Sequence, residues 1–239
     1  MYKILFLSII LLFNSCGKKP GIISSKEYGK FYTEGIKEKK WVAITFDDGP
    51  KPEVLDKILN ALKKENIKAT FFVVGMNMKL YPKYAKKYLV NGHEIGNHTY
   101  SHRNYYLLEK NKNDYEIENI LLQELEDGAT VINEITGIRP VFMRMPNGYI
   151  SPIVKKVAKE RKHIIINWTF GCDWHDNKTK DELIKKYLKT IEPGMILIFH
   201  EKKITADVLP VIIKGIKAKG FEIVPLRQIL GFQKAEYRG

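Results

Sequence analysis

The chain has 239 residues, 44% of them apolar and 28% charged, the balance of a soluble protein with a real core in one large domain or two small ones. Its formal net charge of +13 comes without an aromatic-basic motif or a recognition-helix pattern, so nucleic acid is the least favoured partner. The scattered lysines read first as a solvated basic surface and second as one suited to an anionic envelope or polymer. Two cysteines, Cys16 and Cys172, leave no internal disulfide framework if Cys16 is acylated.

Residues 1–16 read as a targeting segment. Lys3 gives a short positive start, and residues 4–13 form an apolar run of signal-peptide length, too short for a permanent span. The run ends at Asn14-Ser15-Cys16-Gly17, which resembles a bacterial lipobox, with Phe13 where leucine is usual and Asn14 larger than the common small residue. An exported lipoprotein, held at a membrane by lipid on Cys16, is the expected form; plain secretion and an uncleaved anchor are the alternatives. Residues 17–39, rich in Lys, Gly and Ser, are expected to be a flexible tether.

From residue 40 to 231 the pattern alternates, with 232–239 as a tail. A strand over 42–46 runs into Asp47-Asp48-Gly49-Pro50, and helical spacing follows over 52–64. A strand at 69–74 precedes a helix at 81–91, ended by Gly92. A strand at 94–97 leads into His98-Thr99-Tyr100-Ser101-His102. A long amphipathic helix over 115–135 stops at Gly137. A strand at 141–143 precedes Arg144-Met145-Pro146-Asn147-Gly148-Tyr149, and a helix covers 152–161. A strand at 164–168 comes shortly before Asp173-Trp174, and a helix spans 181–191. Pro193-Gly194 opens a buried strand at 195–199 that ends on His200; a helix at 206–219 and a strand at 222–224 close the series. About seven strand–helix units predict an α/β fold, an irregular (β/α)7-type barrel in a single domain with no separate carbohydrate-binding module. Chemistry is then expected where the strands end at their C-terminal edge.

Two adjacent carboxylates at a strand end repel each other, so Asp47 and Asp48 are either a turn or a pair in which one binds a metal while the other faces the bound water. Histidines at i and i+4, His98 and His102, share one helical face and can ligate one divalent ion; chance surface residues are the alternative. With Asp48 they make a two-His, one-Asp set that leaves positions open for water and substrate, a catalytic rather than structural count. Arg144, Trp174 and His200 each have a plain alternative: a surface ion pair, a core residue and a turn residue. Five polar groups at the ends of five strands argue against chance.

These segments resemble, in order, the five motifs of the polysaccharide deacetylases of the NodB-homology type, carbohydrate esterase family 4, over roughly residues 40–230. Thr45-Phe-Asp-Asp-Gly49 matches the first and His98-Thr-Tyr-Ser-His102 the second; Arg144-Met-Pro-Asn-Gly148, Asp173-Trp174 and Ile198-Phe-His200 match the rest. The resemblance implies a divalent metal on Asp48, His98 and His102, usually zinc, with cobalt, nickel or manganese able to serve. It implies Asp47 as general base, His200 as general acid, Arg144 holding Asp47 ionised and aimed, and Asp173 orienting His200. A backbone N–H, here that of Asn147, would stabilise the oxyanion. Gly148 and Tyr149 would contact substrate beside it, and Trp174 with Leu197 or Ile198 would shape the acetyl pocket. The chain departs from the family at Asn147, where tyrosine is common, at Ile198 for leucine, at Glu201 for aspartate, and at Gly171-Cys172 before the fourth motif. Cys172 is expected to be a buried, inert thiol.

The implied activity is hydrolysis of N-acetyl groups on an amino-sugar polymer, with peptidoglycan first and poly-N-acetylglucosamine or chitin oligomers next. A surface lipoprotein that keeps the fold for glycan binding or adhesion is the alternative of a different class. The sequence says nothing of the oligomeric state.

Overall fold

The computed structural model describes residues 23–174 and 178–232; the expected signal segment, Cys16 and most of the expected tail lie outside them. The elements run β1 (Phe31–Tyr32), β2 (Trp41–Gly49), α1 (Pro52–Lys64), β3 (Thr70–Val73), α2 (Gly75–Leu80), α3 (Pro82–Val90), β4 (Glu94–Asn97), α4 (Tyr105–Leu108), α5 (Asp114–Thr136) and β5 (Phe142–Met143). They continue with α6 (Pro152–Glu160), β6 (Ile164–Ile166), α7 (Lys180–Thr190), β7 (Met195–His200), α8 (Lys203–Ala218), β8 (Glu222–Ile223) and α9 (Leu226–Ile229).

Local signals explain the longer helices. Pro52 sits in the first turn of α1 with its preset φ. Asn113 and Glu116 close a capping box on α5, and Gly137, left-handed at φ 74, ends it. Thr179 and Glu182 form a second capping box on α7.

The strands follow the order β1-β6-β5-β4-β3-β2-β7, with β8 against the start of β2, and every pair is parallel. The sheet curls into an irregular barrel. Its seam is bridged by Phe170 against Leu197 and by Glu34 against Met195, so the expected (β/α)7 single domain is the architecture observed.

Alternation along each strand sorts the side chains. Ile44, Phe46, Phe71, Leu197 and Phe199 face outward, joining Leu55, Ile58, Leu209 and Ile213 of α1 and α8 in the main core. Ala43, Phe72, Phe142, Ile166 and Ile196 face inward and fill the barrel, with Leu226 and Ile229 of α9 in the same cluster. The two-residue period that hides Phe46 behind the sheet therefore turns Thr45 and Asp47 into the barrel. It does the same for Ile198 and His200 on β7.

The expectation of a tether through residue 39 is corrected within the described part. Phe31 and Tyr32 pair with Ile165 and Ile166 of β6, and the Gly29 N–H donates to His163 O at 2.8 Å. The domain thus begins before Lys40. This strand escaped the sequence reading because two residues carry no periodicity; a partner more than 130 residues away supplies its hydrogen bonds.

Candidate active site

The polar strand ends converge at one mouth of the barrel. Asp47 lies beside His200 in the β2–β7 register, His98 follows the last residue of β4, and Arg144 follows the last residue of β5. Six non-glycine residues have positive φ among those described, and four of them sit at or just beyond these strand ends: Asp48 (φ 70), Thr99 (φ 64), His102 (φ 57) and Asn147 (φ 58). Such conformations cost about 1–3 kcal/mol each and gather where function over-determines the backbone. Thr99, β-branched, is the most costly of them.

His98 and His102 do not lie on a helix, as their spacing suggested; the left-handed Thr99 and His102 fold residues 98–102 into a turn. The result still brings them together. Ligand atoms of Asp48, His98 and His102 all lie within 4.8 Å of one another: Asp48 Oδ1 is 3.2 Å from His102 Nε2 and 3.5 Å from His98 Nε2. Three ligands about 2.0–2.1 Å from a tetrahedral zinc stand roughly 3.3 Å apart, so the spacing fits. Two further observations support the fit. Asp48 Oδ1 is buried with no hydrogen-bond partner, and His98 Nδ1 lies 2.8 Å from Arg144 O, a pure acceptor. That carbonyl fixes the proton on Nδ1 and leaves the Nε2 lone pair turned toward Asp48.

Behind this trio stand two hydrogen-bonded pairs. Arg144 is fully buried; its Nη1 donates to Asp47 Oδ1 at 2.7 Å and to Thr45 Oγ1 at 2.9 Å. Its Nε and Nη2 donate to Ile166 O and Asn167 O, each at 3.0 Å, and the guanidinium stacks 4.1 Å from the Phe72 ring centroid. Asp47 is thereby clamped through Oδ1, while Oδ2 lies 3.6 Å from His98 Nε2. In the second pair, Asp173 Oδ1 is 2.8 Å from His200 Nδ1, and its Oδ2 accepts the His200 N–H and the Thr205 hydroxyl, each at 2.6 Å. His200 Nδ1 is thus committed to the carboxylate, and Nε2 is the nitrogen left for the mouth of the barrel. Burial would lower the His200 pKa, but the Asp173 bond and charge, with the charges of Asp47 and Asp48, outweigh it and raise it.

A cavity of about 330 Å³ is lined by Asp47, Asp48, His98, His102, Asn147, Trp168, Trp174, Ile198 and His200. Of the residues singled out in the sequence, Arg144 and Asp173 lie behind its wall. Ile198 lines it, while Leu197 belongs to the outer core. Cys172 is a buried core residue whose thiol is pushed up by burial. Gly148 and Tyr149, expected to contact substrate, are not among the residues that line this cavity. Tyr149 is 2% exposed, stacked on Tyr105 at 5.6 Å and bonded through its hydroxyl to Glu109. Gly148, at φ 67, has no room for a side chain, because a Cβ there would meet Trp168 Cη2 at 2.7 Å.

Trp168 is the lining residue that the sequence reading passed over, as the last position of an expected strand. The strand ends at Ile166, and the freed Trp168 ring lies 6.1 Å from Trp174. Glu201 is a second. Buried, it accepts from the Tyr88 hydroxyl at 2.6 Å and from the Lys51 N–H at 2.7 Å, tying β7 to the turn after Asp48, and burial pushes its carboxyl up to about 7.

Comparison with known proteins agrees with this architecture. The family model described as polysaccharide deacetylase matches residues 34–165. The chain belongs to the polysaccharide deacetylase family. A peptidoglycan-N-acetylglucosamine deacetylase of Bacillus cereus is 35% identical over 210 residues, covering 85% of this chain and 72% of the relative. The crystal structure of a peptidoglycan N-acetylglucosamine deacetylase in complex with an N-oxidanyl-benzamide superposes with a TM-score of 0.78 at 32% identity, covering 88% of this chain and 97% of that one. A carbohydrate esterase family 4 pseudoenzyme from Bacillus anthracis has a TM-score of 0.76 at 28% identity, covering 84% and 69%. The chain is thus a polysaccharide deacetylase by family.

Proposed function

We propose that this enzyme is a metal-dependent N-deacetylase of an amino-sugar polymer, with peptidoglycan as the first candidate and poly-N-acetylglucosamine or chitin oligomers next. The observation that carries the metal reading is the buried, unpartnered Asp48 Oδ1 between two imidazole Nε2 atoms. A divalent ion held by Asp48, His98 and His102, zinc before cobalt, nickel or manganese, would polarise the acetyl carbonyl and acidify a water. Asp47, aimed by Arg144, takes the proton of the attacking water on Oδ2. The Asn147 N–H donates to the oxygen on which charge develops. His200 Nε2 gives a proton to the departing sugar amine, which would otherwise leave as a strongly basic anion. Trp168, Trp174 and Ile198 give the acetyl methyl an apolar seat. A cavity of about 330 Å³ is at the small end of ligand pockets, which run from about 300 to 1,000 Å³, and suits one sugar unit with its acetyl arm. Lipid attachment at Cys16 would keep the enzyme beside such an envelope polymer; the cysteine after a signal-length apolar run supports that placement.

Purified protein supplied with zinc is expected to release acetate from peptidoglycan or from chitin oligomers. Chelation or Asp48→Ala should abolish that release, and zinc should restore the chelated sample alone. If the zinc-loaded wild type frees no acetate from either glycan, the reading is wrong. The similarity to a pseudoenzyme gives the binding-protein alternative its one support. Against it stands the Arg144–Asp47 clamp, which a protein that only binds glycan does not need.

The Asp173–His200 pair yields a pH prediction. His200 must hold its proton to act as an acid, so activity falls as pH rises through its pKa, which Asp173 raises against the effect of burial. Asp173→Asn should therefore move the basic limb of the kcat/KM profile to lower pH and leave the acidic limb in place. An unmoved basic limb would remove the pair from the mechanism.

A further inference from the structure

Two of the three ligand side chains ride on the turn at residues 98–102, whose backbone is costly at Thr99 and His102. Inside the turn, the His102 N–H donates to Thr99 Oγ1 at 3.2 Å. From α2, the Gly75 and Met76 N–H groups donate to Thr99 O and Tyr100 O at 3.0 and 2.8 Å. The densest restraint comes from α5. Glu124, 6% exposed, accepts the Ser101 N–H on Oε2 at 2.7 Å; its Oε1 accepts the Ser101 hydroxyl at 2.5 Å and Arg103 Nε at 3.0 Å. One carboxylate thus gathers three donors from the residues on either side of His102.

The rest of that helix face fits the same purpose. One turn after Glu124, Gly128 lets α5 lie against the turn: a Cβ there would meet Asn97 Oδ1 at 2.5 Å and Thr99 C at 3.2 Å. Between them, Leu125 O accepts from Asn97 Nδ2 at 2.9 Å, fixing the strand end just before His98. The helix therefore grips the chain on both sides of the histidine turn, and only a doubly accepting anion matches the paired donors of Ser101 together with Arg103.

We infer that Glu124 is a positioning residue that sets the spacing of the His98 and His102 imidazoles and with it the affinity of the site for a divalent cation. The inference rests on the reading of Asp48, His98 and His102 as the ligand set. Glu124 touches neither substrate nor metal; it acts through Ser101. Partners of this kind behind metal ligands typically contribute about 10–100-fold in affinity.

The test is the zinc dissociation constant of the metal-stripped full chain, measured by competition with a chromogenic chelator, beside the melting temperature of the same stripped samples. Glu124→Gln keeps the volume and one carbonyl acceptor but turns an N–H₂ toward one Ser101 donor, and is expected to weaken zinc binding about 10–100-fold. Glu124→Asp, which retains the anion, should recover part of the loss. Ser101→Ala leaves the carboxylate in place, removes the hydroxyl donor, and should weaken binding in the same direction, which keeps the test sound if Glu124→Gln does not fold. A purely structural role would lower the melting temperature and leave the folded fraction with wild-type affinity. Binding by folded Glu124→Gln and Ser101→Ala within twofold of a zinc-binding wild type overturns the Glu124 inference. A wild type that binds no zinc overturns the ligand assignment beneath it.

Discussion

Asp47→Asn is expected to lower the rate of acetate release by about 10²–10⁴, the usual contribution of a positioned general base. The amide keeps an oxygen toward Arg144 Nη1, so the bond now at 2.7 Å can persist, but it cannot take a proton from water at neutral pH. Metal affinity should change little, because Asp47 is not one of the three converging ligands. The measurement is kcat for zinc-loaded variant and wild type, corrected for the folded fraction. Activity within tenfold of wild type would move the base elsewhere. Loss of metal together with activity would mean that Asp47 is itself a ligand, an outcome that its 3.6 Å separation from His98 Nε2 makes worth measuring.

The parts of the fold legible in the sequence are those stabilised locally. α1 and α5 carry an amphipathic period and end signals in their own residues, and the strand ends announce themselves as polar groups after apolar runs. What was missed lies where the energy comes from distant partners. α2, α4 and α9 are six, four and four residues long, too short to show a period, and isolated helices of that length are unstable in water. The same limit governs the site. Asp48, His98 and His102 were readable as a ligand set, yet the histidine spacing pointed to a helix, and a left-handed turn achieves the convergence instead. Tyr149 and Trp168 exchanged roles for a related reason. Both flank polar motifs, and only the course of the chain decides which ring is covered by Tyr105 and Glu109 and which is left to line the cavity. Glu124 had no local signal at all; its partners lie more than 20 residues earlier.

Arg144→Met should have the largest effect on stability. Arg144 is entirely buried and ends on five acceptors: Asp47, Thr45, Ile166 O and Asn167 O through its nitrogens, with the Phe72 ring beneath; four are polar and the fifth is a π face. Removing it leaves the Asp47 carboxylate buried without its counter-charge, and breaking a buried pair from one side costs about 3–5 kcal/mol. For a domain of this size that corresponds to a melting temperature roughly 6–20 °C lower, a large share of a typical stability of about 5–15 kcal/mol. The double variant Arg144→Met/Asp47→Leu separates the two things the pair does. With both charges gone, apolar side chains of similar bulk should return much of the lost stability, because desolvation of an ion pair offsets most of its attraction. Activity should not return with it, since neither the base nor its clamp remains. If the double variant melts no higher than Arg144→Met alone, the destabilisation comes from the lost packing over Phe72 and the orphaned carbonyls of Ile166 and Asn167 rather than from the unpaired carboxylate. The role of Arg144 would then be chiefly to hold the strand ends together.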